Sequence, residues 1–142
     1  MKELVFGIWL GIQGYFDFKY KEIPLWLSLF GGGLGIFLCI IEKRNIMDVL
    51  LACIPGVILL IFSWLTKEVI GYGDGIVFLI MGTYMSLSQI CAIGMSAFSI
   101  AGIFALILIV IFHKKGKDQI PFIPFLVLAY GMEYLADIGG TL

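Results

Sequence analysis

Long apolar runs, broken at short clusters of charge and proline, set the pattern of this chain. Cut at those clusters, six runs remain: residues 1–16, 24–41, 46–65, 75–87, 90–112 and 120–134. A helix that crosses a bilayer needs about 20 mostly apolar residues, and most of these runs approach that length. Spanning segments must satisfy their backbone groups internally, so they are helices or closed barrels. None of the runs shows the period-two alternation of barrel strands. The pattern therefore predicts an all-α membrane protein, a bundle of six transmembrane helices. The fourth and fifth runs come from one charge-free block, 75–112. As a single helix it would be about 57 Å long at about 1.5 Å per residue, close to two bilayer cores. The block must fold back, and polar Ser88 and Gln89 mark the turn. The fourth helix is then short.

Composition agrees. Of 142 residues, 61% are hydrophobic and 13% charged, against about 25% charged in soluble domains. A net charge of −1 gives no sign of nucleic-acid binding. The first run has no small-residue cleavage site after it and further spans follow, so it reads as a span and not as a cleaved signal. The chain reads as one integral-membrane domain, 1–142. Cys39, Cys53 and Cys91 stand singly in apolar runs without a CxxC pair and behave as small hydrophobes. His113 has no ligand set around it, so no metal or cofactor is expected. "GGGLG" at Gly31–Gly35, with Gly94, Ala97 and Gly102, suits close helix contact. No strand precedes these glycines and no Lys-Ser/Thr follows, which argues against a phosphate loop. Lys19, Lys21, Lys67, Lys114, Lys115 and Lys117 fall in the loops after helices one, three and five; Lys2, Lys43 and Arg44 fall on the other side. The bias places the first set in the cytoplasm and both termini outside a multi-pass cell membrane. Trp9, Trp26 and Trp64 lie near span ends, as interfacial anchors do.

Two acids then change the picture. Asp17 closes the first helix in "YFDFKYKEIPLWL", and Asp74 opens the fourth in "GYGDG". Each has an ordinary reading alone. Asp74 is a good helix cap, and Asp17 could be a solvated loop residue. Together they fall on one membrane face, and acids at spans tend to be functional. Two carboxylates a few ångströms apart share a proton, which is the working state of an aspartic protease. One takes a proton from water while the other donates to the peptide carbonyl. Gly71 and Gly73, having no side chains, let a substrate backbone approach Asp74 and let the chain turn into the helix. The other charges read as bland. Glu133 and Asp137 suit a solvated outer end of helix six. Lys19 and Lys21 flank the acids and could set orientation or stabilise a carboxylate; Glu22 and Glu68 could meet a basic peptide.

Three segments resemble the type IV prepilin peptidase family. They are "DFKYKEIPLWL" (Asp17–Leu27), "GYGD" (Gly71–Asp74) and "IPFIPFLVLAYG" (Ile120–Gly131). They are similar to the family's Asp followed by a basic stretch and Ile-Pro-x-x-Leu, its GxGD signature, and its Pro-Phe-x-Pro opening of the last helix. The resemblance implies a six-helix aspartic endopeptidase with Asp17 and Asp74 as the catalytic pair, and Gly71, Gly73 and Pro24 supporting the substrate loop. It implies a pilin-like precursor as substrate, cut where its basic leader meets its hydrophobic helix, at the cytoplasmic face and without metal or cofactor. The family often has Lys two residues after the GxGD Asp, where this chain has Ile76, and Asn after Ile-Pro, where it has Leu25. The chain resembles the short, peptidase-only members, such as those serving Flp/Tad pili or archaeal preflagellins. It lacks the cysteine-motif region that longer members associate with N-methylation, so no methyltransferase activity is expected. The competing reading is a small transporter or a pilus-assembly scaffold subunit in which the two acids bind a proton or cation. A transporter carries such acids near mid-membrane, often on broken helices. It has no need of Ile-Pro after the first or GxGD before the second.

Overall fold

A computed structural model describes residues 1–67, 70–113 and 120–140. Among these residues six helices follow in order: α1 (Lys2–Tyr20), α2 (Leu25–Ile41), α3 (Ile46–Leu65), α4 (Tyr72–Tyr84), α5 (Leu87–Val110) and α6 (Ile123–Gly140). No strand occurs among the described residues. Two helices, α3 with 20 residues and α5 with 24, are clearly long and apolar enough to cross a membrane. Only 17% of the apolar window of each is buried in the protein, so side chains such as Phe62, Trp64, Leu106 and Val110 point outward. The buried set includes polar Gln13, Asp17, Ser28 and Ser63. Apolar side chains outside and polar groups inside are the distribution that a lipid solvent favours.

The shortest helix lies at the centre. α4 packs along α3 and also meets α1, α2 and α5, burying Val77, Phe78, Ile80, Met81 and Tyr84. Its 13 residues span about 20 Å, less than the ~30 Å hydrocarbon core. Small residues let its neighbours come close. A Cβ on Gly82 would lie 2.6 Å from Cys53 Sγ, one on Gly56 would fall on the Leu79 backbone, and one on Gly35 would strike Thr83. Gly31 meets the Trp9 ring in the same way, so two positions of the "GGGLG" segment serve contact. Trp9 is not an interfacial anchor. It is 4% exposed, and its Nε1 donates to the Leu27 carbonyl at 2.8 Å. Trp26 and Trp64 are exposed.

Local chemistry sets the helix ends. α1 runs a turn beyond the expected stop at residue 16 and closes where Lys21 takes a left-handed conformation, φ 53°, its N–H on the Asp17 carbonyl. α3 begins at Asn45, whose side chain accepts the Met47 N–H at 3.1 Å. The fold-back after α4 comes at Met85–Ser86, not at Ser88 and Gln89. Gln89 instead lies in the first turn of α5, where its side chain accepts the Ser86 N–H and completes a capping box. At that end of the bundle Arg44 donates to the carbonyls of Thr83 (2.8 Å) and Met85 (2.9 Å), and Lys2 pairs with Glu42 at 2.8 Å. Arg44 thus serves as a C-terminal cap of α4.

Candidate active site

The end of α1 and the starts of α2, α4 and α6 share the opposite end of the bundle, and four contacts tie them together. Asp17, in the last turn of α1, is 7% exposed. Its Oδ2 accepts the backbone N–H of Ile123, the first residue of α6, at 3.0 Å. Asp74 lies half-buried in the first turn of α4. Asp17 is near enough to act on Asp74 through its charge. Among the described residues no hydrogen-bond donor reaches the Asp74 carboxyl. The two acids are therefore neighbours, one held by a donor and one not.

The glycines before Asp74 differ in surroundings. A Cβ on Gly73 would run into the side chain of Ile23, whereas one on Gly71 would lie 3.6 Å from Asp74 Oδ2, an ordinary contact. No glycine among the described residues has positive φ. The requirement at Gly73 is thus a close approach by Ile23, not a special turn. Ile23 precedes Pro24, which caps α2; the Pro24 carbonyl accepts the N–H groups of Leu27 and Ser28. The Ile-Pro segment and the GxGD segment therefore pack on each other.

The Pro-Phe-x-Pro segment completes the cluster. Phe122 joins a three-ring cluster with Phe98 of α5, at 4.7 Å between ring centres, and Phe78 of α4, at 6.3 Å, and Phe78 and Phe98 are 6.2 Å apart. Phe78 lies one turn beyond Asp74 on the same helix face. Phe122 also accepts the N–H groups of Phe125 and Leu126. The aromatic cluster so fixes the residue just before the N–H that Asp17 accepts.

Sequence reasoning missed two participants. The Ile123 N–H belongs to the main chain, so residue type could not announce it. Gln13, four residues before Asp17 on the same face of α1, is fully buried. Its Nε2 donates to Ser28 Oγ at 3.0 Å, and its Oε1 has no partner among the described residues. A lone amide in an apolar run was the available signal. Lys19 does not turn to the acids: its ammonium lies over the rings of Tyr15 and Tyr20. Lys21 and Glu22 are exposed beside the site. Lys114, Lys115, Lys117 and Glu68 lie outside the described residues. Far from this cluster, Glu133 is half-buried and Asp137 exposed, both on α6.

A family model for the type IV leader peptidase family matches residues 4–111. The match includes Asp17, Ile23-Pro24 and the whole GxGD segment and ends before α6. Neither a curated protein nor a solved structure matches the chain.

Proposed function

The chain belongs to the type IV leader peptidase family, and from that membership we propose that it is an aspartic endopeptidase with Asp17 and Asp74 as its catalytic pair. Its substrate in this reading is a pilin-like precursor, cut between a basic leader and a hydrophobic helix at the cytoplasmic face of the membrane. The observation that carries the proposal is the convergence of two acids at one end of the bundle, Asp17 where α1 meets the start of α6 and Asp74 where α4 docks on the Ile23–Pro24 segment, each within a motif of the matched region. Two such carboxyls in partly dry surroundings share one proton. The ionised member takes a proton from water, and the water oxygen attacks the peptide carbonyl carbon. The protonated member gives its proton to the carbonyl oxygen. Collapse of the tetrahedral intermediate breaks the C–N bond; the first acid delivers its new proton to the amine, and the second recovers one from the diol. One water is consumed and both acids return to their starting states.

In this reading a partly buried pair at the cytoplasmic face suits a substrate whose leader stays in water while its helix stays in lipid. All six helices belong to the membrane domain in this reading, with α4 too short to cross alone. The exposed Glu22 offers a negative charge to a basic leader. The test is co-expression with precursors that carry a short basic leader before an apolar helix. A mobility shift that needs this chain, and is lost with either Asp→Asn variant, supports the proposal; unprocessed precursors throughout would refute it.

A further inference from the structure

The two acids of the proposed pair are held unequally. Asp17 receives the Ile123 N–H at 3.0 Å within the buried part of the site. An N–H donor stabilises a carboxylate over the neutral acid. The helix dipoles do not make the difference, because Asp17 ends α1 beside the start of α6 while Asp74 opens α4; the hydrogen bond does. Asp74 lies in the first turn of α4 but receives no hydrogen bond among the described residues. The remaining neighbours do not reverse the difference. α4 offers Asp17 only the carboxyl of Asp74. The first turns of α6 bring Ile123, Pro124 and Val127 against α1 at Gly14, and the approach to α2 brings Ile23 and Pro24; none is charged. On α1 itself, Lys19 is held over Tyr15 and Tyr20, and Lys21 and Glu22 are exposed. Lys114, Lys115, Lys117 and Asp118 lie outside the described residues.

From this asymmetry we infer that Asp17 is the ionised member of the pair and Asp74 the protonated one, the Ile123 N–H acting as the positioning group that fixes the order. The inference rests on the peptidase reading for its roles: Asp17 becomes the base that takes the proton of the attacking water, and Asp74 the acid that protonates the carbonyl oxygen. The cluster of Phe78, Phe98 and Phe122 holds the α6 start at its station. The last helix thereby enters the chemistry through its backbone.

Ile123→Pro removes the N–H at the first position of a helix, where proline is tolerated. Ile123→Ala keeps the N–H and removes comparable side-chain volume. With the purified full chain in lipid and a synthetic precursor peptide, kcat/KM is measured against pH. For Ile123→Pro the acidic limb should move up by about one pH unit, the scale of one hydrogen bond to a charged group, and the alkaline limb should stay. Ile123→Ala should lose rate without moving the acidic limb. An unmoved acidic limb in Ile123→Pro, or equal shifts in both variants, overturns the inference.

A second measurement needs neither cleavage nor the proline variant. Infrared spectra of the substrate-free chain, taken against pH, should show a protonated-carboxyl band that Asp74→Asn removes at neutral pH and that Asp17→Asn keeps with its midpoint at lower pH, since no Asp17 charge then opposes ionisation of Asp74. The reverse pattern, or no such band in the wild type, overturns the inference. A chain with the expected pattern that cleaves no precursor keeps the proton assignment and refutes the peptidase reading. A chain that cleaves with the reversed pattern does the opposite.

Discussion

Asparagine keeps the shape of aspartate and loses the transferable proton, so Asp17→Asn and Asp74→Asn probe chemistry and not packing. The amide oxygen at position 17 can still accept the Ile123 N–H, which leaves the α1–α6 junction joined. Each variant should fold and lose at least about a hundredfold in cleavage rate, the lower range of general acid–base contributions; a discontinuous assay on purified protein checks this. Gly71 and Gly73 separate in the same way. Gly73→Ala meets Ile23 and should cost about 1–3 kcal/mol, as overpacking does, while Gly71→Ala should stay near wild type. Thermal unfolding in detergent measures both, and equal effects would deny the docking of Ile23 on Gly73. Both acids were legible in the sequence because each lies in a motif with a chemical reason for it. The Ile123 donor was not, because a main-chain group leaves no trace in residue type. At Gly73 the sequence suggests access and turning; the space is filled by Ile23, fifty residues away along the chain, which the local motif does not reveal.

For the helices, apolar runs cut at charge and proline recovered the order of the elements and the bounds of α3. The misses have local causes. α1 runs on through Asp17 because its stop is the left-handed Lys21, and a lysine is no standard stop signal. Polarity points to Ser88 and Gln89 for the turn after α4, yet Ser86 and Gln89 use their polarity to start α5. In sequence Arg44 reads as an orientation charge, yet it reaches back to the carbonyls of Thr83 and Met85. Arg44→Ala should therefore lower stability by about 1–2 kcal/mol, the scale of charge-assisted hydrogen bonds at a partly exposed site. The site lies at the other end of the bundle, so catalytic constants at permissive temperature should barely change. Thermal unfolding beside a cleavage assay checks both halves, and a selective loss of activity would contradict the capping role.

For the molecule as a whole, two helices meet the length and apolarity of a span outright, and the acids stand opposite the Lys2–Glu42 and Arg44 end. The proposed topology puts the acids in the cytoplasm. Cys39, Cys53 and Cys91 are free, and a chain with all three replaced by alanine should keep most of its activity. In that background, Lys21→Cys should react with an impermeant thiol reagent only from the cytoplasmic side and Lys43→Cys only from outside. Labelling of both from one side would contradict the topology. This orientation is an expectation from the Lys and Arg bias, part of it resting on Lys114, Lys115 and Lys117, outside the described residues.

The most direct test of the central claim is mass spectrometry of a purified pilin-like precursor incubated with the purified chain in lipid, beside the two Asp→Asn variants. The account predicts a precursor shortened at the junction of basic leader and hydrophobic helix by the wild-type chain, and an intact precursor with either variant. Cleavage that survives Asp17→Asn or Asp74→Asn at a near-normal rate would contradict it.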